Sequence, residues 1–457
     1  MTAPPPNGDA KARYIATAIN ILDGHGFSLD QQAPYQPSEA AAPAYPLLIA
    51  ATYTVFGRHE MAVRIVQVFL DLVSCLLVGF VAFNLAPFGQ QAPAAIFAMI
   101  IYGVLSWFTA IWTADLLTET FAIALTMAAI ALFIQAILSS NKRGWLWFVA
   151  GLVTGAAILT RPDSLLLAGA IGLVLLGRVA IERSWVRTRD LLGFCIAIPI
   201  VLAPWTARNY LEFEKFQPLA SEYGLPQPRY IPTGYLHWIR TWITDETYFS
   251  TVFPPAFHIR AASLDSNKLP NDAFDSAAER QRVSDLISRY NQTLLFTPAI
   301  SDEFDAIASE RIRHSPVRFF VILPLRRAAS MWLTGFAVRE PTNHGGLLKI
   351  LPSMSPRFLL LIRILSVLPI IIGGGLGLAW FSRRSPFLVL LWLVVLGRTV
   401  FMAYFYAPET RYIVEAYPPV IAACGVTLAV FQLSLKRVWD RTFPNGHGRT
   451  RSNRVRS

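Results

Sequence analysis

"GWLWFVAGLVTGAAILTRPDSLLLAGAIGLVLLGRVA" (residues 144–180) holds two apolar runs separated by four residues, Thr160-Arg161-Pro162-Asp163. Each run approaches the roughly 20 apolar residues that a membrane-crossing helix needs. The charges and the proline between them force a tight turn. Two spans joined at one membrane face is therefore the reading, and the rest of the chain repeats it. Runs that qualify or nearly qualify lie at 60–85, 92–111, 114–138, 145–161, 164–181, 190–207, 357–381, 386–405 and 412–435. The 457 residues are 54% hydrophobic and only 15% charged, against roughly 25% charged in a soluble domain. The expected class is an all-α multi-pass membrane protein of about nine transmembrane helices.

The net charge of +11 invites a nucleic-acid partner. The basic residues, however, gather in short loops between apolar runs and in the tail, which is the pattern of membrane orientation. No nucleic-acid partner is expected. Cys75, Cys195 and Cys424 all lie inside apolar runs, so neither a disulfide framework nor a metal-binding cysteine pair is available. The seven histidines show no paired ligand spacing, and neither a metal nor a cofactor is expected.

Orientation follows from the tail, where Lys436, Arg437, Arg441, Arg449, Arg451, Arg454 and Arg456 should stay cytoplasmic. Counting back, "SRRS" (382–385), "ERSWVRTRD" (182–190) and "SSNKRG" (139–144) also fall inside. "TRPD", "APETRY" (407–412) and residues 1–59 fall outside. The segment 208–356 carries most of the acids and reads as a mainly helical outer domain. Within it "SPVRFFVILPLRRAASMWLTGF" contains seven successive apolar residues followed by Arg326 and Arg327. An interfacial helix near 316–335 fits this better than a tenth span, which would break the charge parity. The expected divisions are thus 1–59, an outer loop with two interfacial helices; 60–207, six spans; 208–356, the outer domain; 357–435, three spans; and 436–457, a basic tail.

Every unusual polar cluster then maps to the outer face. Asp9 precedes an amphipathic helix at 10–22, in which Tyr14, Ala18 and Leu22 share one side. Asp115 and Glu119 in "TADLLTETF" stand four residues apart on the first turns of one expected helix, facing one side. Arg161, Arg208 in "PWTARN" (204–209), and Glu409, Arg411 and Tyr412 complete the set. Acids there can accept protons, and arginines can hold a phosphate by charge-assisted hydrogen bonds.

Structural readings stand beside each of these. Asp9 is a good helix N-cap, and Asp115 and Glu119 suit the positive end of a helix dipole. Arg161 and Arg208 can snorkel to headgroups, and "ETRY" can be a surface ion pair of little value. Asp71, in mid-span two turns from Arg64, is expected to make a structural hydrogen bond.

The order of the pieces is more specific than any single one. "GDAKARYIATAINILDGHGF", "PAYPLLIAATYTVFG", "AVRIVQVFLD", "LLTETF", "AGLVTGAAILTRPD", "PWTARNY" and "ETRYIVEAYPP" together resemble the glycosyltransferase C superfamily. The likeness is to its bacterial branch related to polyprenyl-phosphate-mannose protein mannosyltransferases and lipid A aminoarabinose transferases, over about residues 8–435. The resemblance implies a fold with interfacial helices at 10–22 and 45–56, Asp9 as catalytic base, Asp115 or Glu119 as a second acid, and Arg161 as a basic residue after a Gly-rich span. It also implies an inverting hexosyl or pentosyl transfer from a polyprenyl-phosphate sugar to a glycan, lipid or protein acceptor, at the outer face of a bacterial inner membrane. An outward site fits such a donor because nucleotide sugars are cytoplasmic.

Two departures stand out. Relatives place a basic residue just before the proline of the second interfacial helix, whereas this chain has "SEAAAPAYP" (38–46). The lost phosphate contact is expected to move to Arg161, Arg208 or Arg411, with Tyr412 beside them. Relatives also begin with a spanning helix ahead of the Asp loop, so upstream in-frame DNA is expected to encode one. The alternative functions are a lipid-linked glycan ligase or polymerase and, behind it, a transporter. The latter would show internal repeats and broken helices with polar residues at mid-membrane; the sequence shows no repeat, and its polar residues crowd the outer ends.

Overall fold

The computed structural model describes residues 10–30, 32–39, 41–139, 144–220, 230–256, 263–333, 356–381, 387–405 and 407–442. Among them every regular element is helical, with one isolated β-bridge between Ser28 and Pro37. α1 (Ala10–Leu22) and α2 (Ala44–Phe56) form a pair at one end of the bundle. The apolar spacing of α1 has the expected result. Ala18 is buried, and Tyr14 and Leu22 pack with Tyr45, Ile49 and Tyr53 of α2 and with Val63 and Leu116.

The first bundle comprises α3 (Glu60–Leu85), α4 (Gln91–Ile100), α5 (Trp107–Ala114), α6 (Glu119–Leu138), α7 (Trp145–Thr160), α8 (Leu165–Glu182) and α9 (Trp185–Phe213). The second contains α15 (Pro356–Leu376), α16 (Leu388–Ala403) and α17 (Tyr417–Thr442). Among the described residues, each of the nine expected spanning runs contains helix. Five helices are long and apolar enough to cross a membrane by length and composition: Glu60–Leu85, Glu119–Leu138, Pro162–Glu182, Trp185–Phe213 and Thr410–Asp440. The other four expected runs contain the shorter apolar helices Gln91–Leu105, Trp145–Thr160, Ile364–Trp380 and Leu388–Ala403. The connectivity brings Trp145, Trp185, Trp380 and Trp439 to one end of the bundle, and all four are exposed. This is the usual position of interfacial tryptophans.

Two boundaries differ from the sequence reading. The run at 92–111 is interrupted: α4 passes into a π-helical turn at Ile101–Leu105, and α5 starts anew after Ser106. The run at 114–138 begins late, so Asp115 and Glu119 do not share a helix. Asp115 follows the end of α5, and Glu119 opens α6. The cause is Gln67 on α3. Its buried amide donates to the carbonyls of Thr113 (3.0 Å) and Asp115 (2.8 Å), satisfying the end of α5 and leaving no need for the helix to continue. Asp71 behaves as expected, its Oδ1 accepting the Tyr102 hydroxyl at 2.7 Å.

The domain between α9 and α15, which the sequence reading places outside as an outer domain, has its own apolar core. It contains α10 (Thr233–Arg240), α11 (Phe249–Ala256), α12 (Ala277–Thr293), α13 (Pro298–His314) and α14 (Leu323–Leu333). Its helices carry the caps their sequences encode. Ser276 accepts from Glu279 N, and Thr297, ahead of Pro298, accepts from Ile300 N. Val317, Phe320, Val321 and Leu325, at or just before the start of α14, are exposed. Arg327 of α14 is buried and donates to the carbonyls of Ile243 (2.8 Å), Ala403 (3.1 Å) and Arg240. It thereby ties the outer domain to the end of α16.

The helices of the bundle approach closely where side chains vanish. A Cβ on Gly425 of α17 would stand 2.6 Å from the Ala94 carbonyl and 2.7 Å from the Ala98 Cβ of α4. Small residues at such crossings replace the hydrophobic drive that lipid does not provide. Gly425→Val should therefore force α4 and α17 apart at a cost of about 1–3 kcal/mol and lower the melting temperature in detergent. Gly397→Ala, whose Cβ meets nothing within 4 Å, should not. Equal melting temperatures for the two variants would show that this contact does not limit packing.

Candidate active site

Helix ends at one side of the bundle converge on a buried charge cluster. Arg161 follows α7 in extended conformation and precedes the 3-10 turn Pro162–Ser164, so the "TRPD" turn aims its side chain inward. Its guanidinium reaches three carboxylates: Glu119 Oε1 at 3.0 Å, Asp163 Oδ2 at 3.0 Å and Glu415 Oε1 at 3.1 Å. Arg398 of α16 closes the ring, meeting Asp163 Oδ2 at 2.8 Å and Glu415 Oε2 at 2.9 Å, and donating from Nε to the Tyr412 carbonyl at 2.6 Å. Glu119 and Glu415 are each 1% exposed, so this cluster is not a surface feature. A single unpaired charge at that depth would be prohibitive, which explains the reciprocal pairing.

A second set adjoins it. Arg411 pairs with Glu409 at 2.5 Å, and its guanidinium lies 5.1 Å from the centre of the Tyr412 ring. Arg161 approaches the same ring at 5.6 Å. Tyr412 packs against both the bundle core and the outer-domain core, and Tyr14 against both the bundle core and the α1–α2 cluster. Burial, and then the Glu119 carboxylate, push the Tyr14 phenol above its ordinary value. The site thus lies where the three apolar clusters meet. Glu119 Oε2 is buried without a hydrogen-bond partner among the described residues.

The three arginines expected around one anion separate. Arg161 and Arg411 share Tyr412 and are neutralised by carboxylates. Arg208, near the end of α9, instead donates to the carbonyls of Ser38 (2.8 Å) and Phe27 (3.2 Å) and to Asn209 Oδ1 (3.0 Å). It lies against the rings of Trp205 and Phe213, each at 5.1 Å, and of Phe27 at 5.6 Å. It has no carboxylate within 4.0 Å among the described residues, although Glu212 and Glu39 lie in its wider surroundings. Arg208 also lines a cavity of about 410 Å³ with His25, Phe27, Leu47, Leu159, Val201 and Trp205. Most of that lining is apolar, and the cation Arg208 and the acid Glu212 both stand in it.

The remaining expected residues are placed as follows. Asp9 lies outside the described residues. The Asp115 side chain is half-buried and outside the ion cluster. Arg64, near which Asp71 was noted, pairs with Glu60 at 3.0 Å. The sequence reading passed over Asp163, Arg398 and Glu415 as site residues. Arg398, a lone charge inside the apolar run 386–405, was the available signal, because intramembrane charges are rarely idle. No group of three or more metal-ligating side chains occurs among the described residues.

Among the described residues, Arg161 is the only cation paired with Glu119. Arg161→Met should destabilise the fold by about 3–5 kcal/mol by stranding that carboxylate. Combining it with Glu119→Gln should recover part of the loss, read as non-additivity of melting temperatures. Strictly additive losses would mean that the two side chains do not depend on each other.

Comparison with known proteins adds an independent result. Residues 39–206 match the family model described as dolichyl-phosphate-mannose-protein mannosyltransferase. No curated protein matches the chain. Among solved structures, ArnT from Cupriavidus metallidurans bound to undecaprenyl phosphate is similar at 14% identity and a TM-score of 0.39, over 95% of this chain and 76% of that one. The apo oligosaccharyltransferase of Archaeoglobus fulgidus is similar at 13% identity and a TM-score of 0.48, over 95% of this chain and 48% of that one. The same organism's AglB, in complex with an inhibitory peptide and a dolichol-phosphate, is similar at 14% identity and a TM-score of 0.41. The chain is a multi-pass helical membrane protein, and its segment 39–206 carries the signature of the mannosyltransferase family that the ordered motifs resemble.

Proposed function

We propose that this protein transfers a sugar from a polyprenyl-phosphate donor to an acceptor at the outer face of the membrane, with inversion at the anomeric carbon. The observation that carries this reading is the adjacency of two features at one end of the bundle. One is a buried acid–arginine cluster in which Glu119 keeps a free oxygen. The other is the apolar-lined cavity around Arg208. The two are linked through α7, because Leu159 lines the cavity and Arg161, two residues on, anchors the cluster.

In the reaction, the acceptor hydroxyl oxygen bonds to the anomeric carbon as the bond from that carbon to the phosphate oxygen breaks. The hydroxyl proton passes to Asp9, and the bond electrons leave with the phosphate. A phosphodiester becomes a monoester, so one negative charge develops there. Arg208 is suited to receive that charge, since among the described residues only three hydrogen bonds engage its five N–H donors, to Ser38, Phe27 and Asn209. Preorganised donors of this kind stabilise developing charge at no cost in reorganisation. Arg161 and Arg411 are committed to carboxylates. Their role is to hold Glu119, Glu409 and Tyr412 at the place where the sugar would lie. Glu119 Oε2 would accept a hydrogen bond from the sugar or the acceptor. The outer domain would select the acceptor.

An assay in membranes with a panel of polyprenyl-phosphate sugars and identification of the labelled product tests the reading directly. Asp9→Asn should lower transfer by about 10²–10⁴-fold; near-normal activity would return Asp9 to a capping role. Glu119→Gln should impair transfer far more than Asp115→Asn, and the reverse order would displace Glu119 from the site. Arg208→Lys keeps the charge but loses the planar fork, so the KM for the lipid donor should rise about tenfold or more. An unchanged KM would move the phosphate elsewhere.

A further inference from the structure

Two guanidiniums of the outer domain stand together with no acid between them. Arg327 of α14 is 1% exposed, and its three nitrogens donate to the carbonyls of Ile243 (2.8 Å), Ala403 (3.1 Å) and Arg240. Arg240, whose carbonyl takes one of those bonds, ends α10. Its own guanidinium lies 5.3 Å from the centre of the Phe319 ring. Its Nε is buried, and its side chain makes no hydrogen bond among the described residues. Neither arginine is paired with a carboxylate among the described residues, and the charge that bears on Arg327 is that of Arg240. Acids on neighbouring segments are engaged elsewhere. Asp245 accepts from Thr247 N at 2.9 Å, Glu246 accepts from Thr410 N, and Asp305 meets His237 at 2.7 Å.

Helix ends supply part of the balance. The Arg240 and Ala403 carbonyls stand at the C-terminal ends of α10 and α16, each equivalent to about half a negative charge. Against two guanidiniums, that leaves about one positive charge unbalanced, which is the charge that one phosphodiester carries. A planar guanidinium with free N–H groups is matched to phosphate oxygens.

The surroundings identify the source of that phosphate. The Phe319 ring beneath Arg240 is 5.0 Å from the ring of Phe320, whose carbonyl accepts the Tyr404 hydroxyl at 2.6 Å. Phe320, Val321 and Leu325 are exposed, and so are Val400 and Phe401 in the last turn of α16. α16 is one of the expected spans, so its exposed apolar side chains face acyl chains. Through Tyr404 the apolar patch of the outer domain continues that lipid-facing surface, and tyrosines are enriched at the membrane–water interface. A phosphate at this level belongs to a lipid headgroup. The place is separate from the cavity around Arg208, with which it shares no residue.

We propose that Arg240, backed by the charge of Arg327, binds the phosphate of an acidic phospholipid in the leaflet beside the outer domain, while Phe320, Val321 and Leu325 sit among the acyl chains. Arg240 supplies the hydrogen bonds. Arg327, whose nitrogens are already engaged on carbonyls, acts through its charge. A zwitterionic lipid brings the same phosphate together with its own ammonium, so it offsets the excess charge less well. The bound lipid thereby neutralises the seam where α10, α14 and α16 meet.

The test uses the full-length protein in nanodiscs of equal parts phosphatidylglycerol and phosphatidylcholine with identical acyl chains. A photoreactive phenylalanine analogue at position 320 captures the lipid beside Arg240, and mass spectrometry of the crosslinked peptide identifies it. Phosphatidylglycerol should be captured over phosphatidylcholine by about tenfold, the size of one charge-assisted hydrogen bond. Arg240→Gln should bring that ratio to about one while lipid is still captured, and Arg240→Lys, which keeps the charge but loses the fork, should lie between. Elution volume and melting temperature check that both variants keep the fold. Equal capture of the two lipids by wild type, a preference that Arg240→Gln retains, or no captured lipid at all overturns the proposal. So does displacement of phosphatidylglycerol from position 320 by an equimolar amount of polyprenyl phosphate, which would give the site to the donor lipid. The wild-type ratio is decisive by itself, even where a variant fails to fold.

Discussion

The guanidinium of Arg161 is the constraint on which the rest of the architecture depends. It joins the start of α6 through Glu119, the entry to α8 through Asp163 and the approach to α17 through Glu415, while itself ending α7. Arg398 repeats two of those links from α16. Five elements of the two bundles are thus fixed by two arginines and three acids. In a bilayer the helices gain little from hiding apolar surface, since lipid is as apolar as leucine. A buried ionic cluster is costly to assemble but difficult to satisfy in any other arrangement. It therefore selects one packing of helices that apolar contacts alone would leave poorly specified. Close crossings such as Gly425 on α4 then fix the distances.

The same geometry explains why the arginines do not act alike. Arg161 and Arg398 are saturated by carboxylates and serve as scaffolding. Arg411, bound to Glu409 under Tyr412, belongs to the seam between membrane bundle and outer domain. Arg208 is held by backbone carbonyls and aromatic faces, which position a cation without neutralising it. Arg208 of α9 donates to the Ser38 carbonyl at the start of "SEAAAPAYP".

The helices themselves were legible in the sequence because apolar run length and basic loops report directly on the membrane. Helices 10–22 and 45–56 were legible too, the first from its four-residue apolar spacing. The break before Glu119 was not. It depends on Gln67, some fifty residues earlier, reaching across to the carbonyls at the end of α5. The acids and arginines at the outer helix ends could be named, but not sorted. "ETRY" reads as easily as a surface pair as a buried one. Glu415, Asp163 and Arg398 gain their meaning only from being within 3.2 Å of one another or of Arg161.

By itself the sequence determined the solvent. With 54% hydrophobic residues and most charges in loops and at run ends, the chain must place its helices in lipid and its polar clusters at their termini. It also determined the order of motifs that resembles a membrane transferase family. Only the tertiary structure decided which charges cancel and which stay free. That outcome depends on distances between residues such as Arg161 and Glu415, or Glu246 and Thr410, which are far apart in the chain. Coulombic and hydrogen-bond energies change steeply over those few ångströms, and no local pattern encodes them.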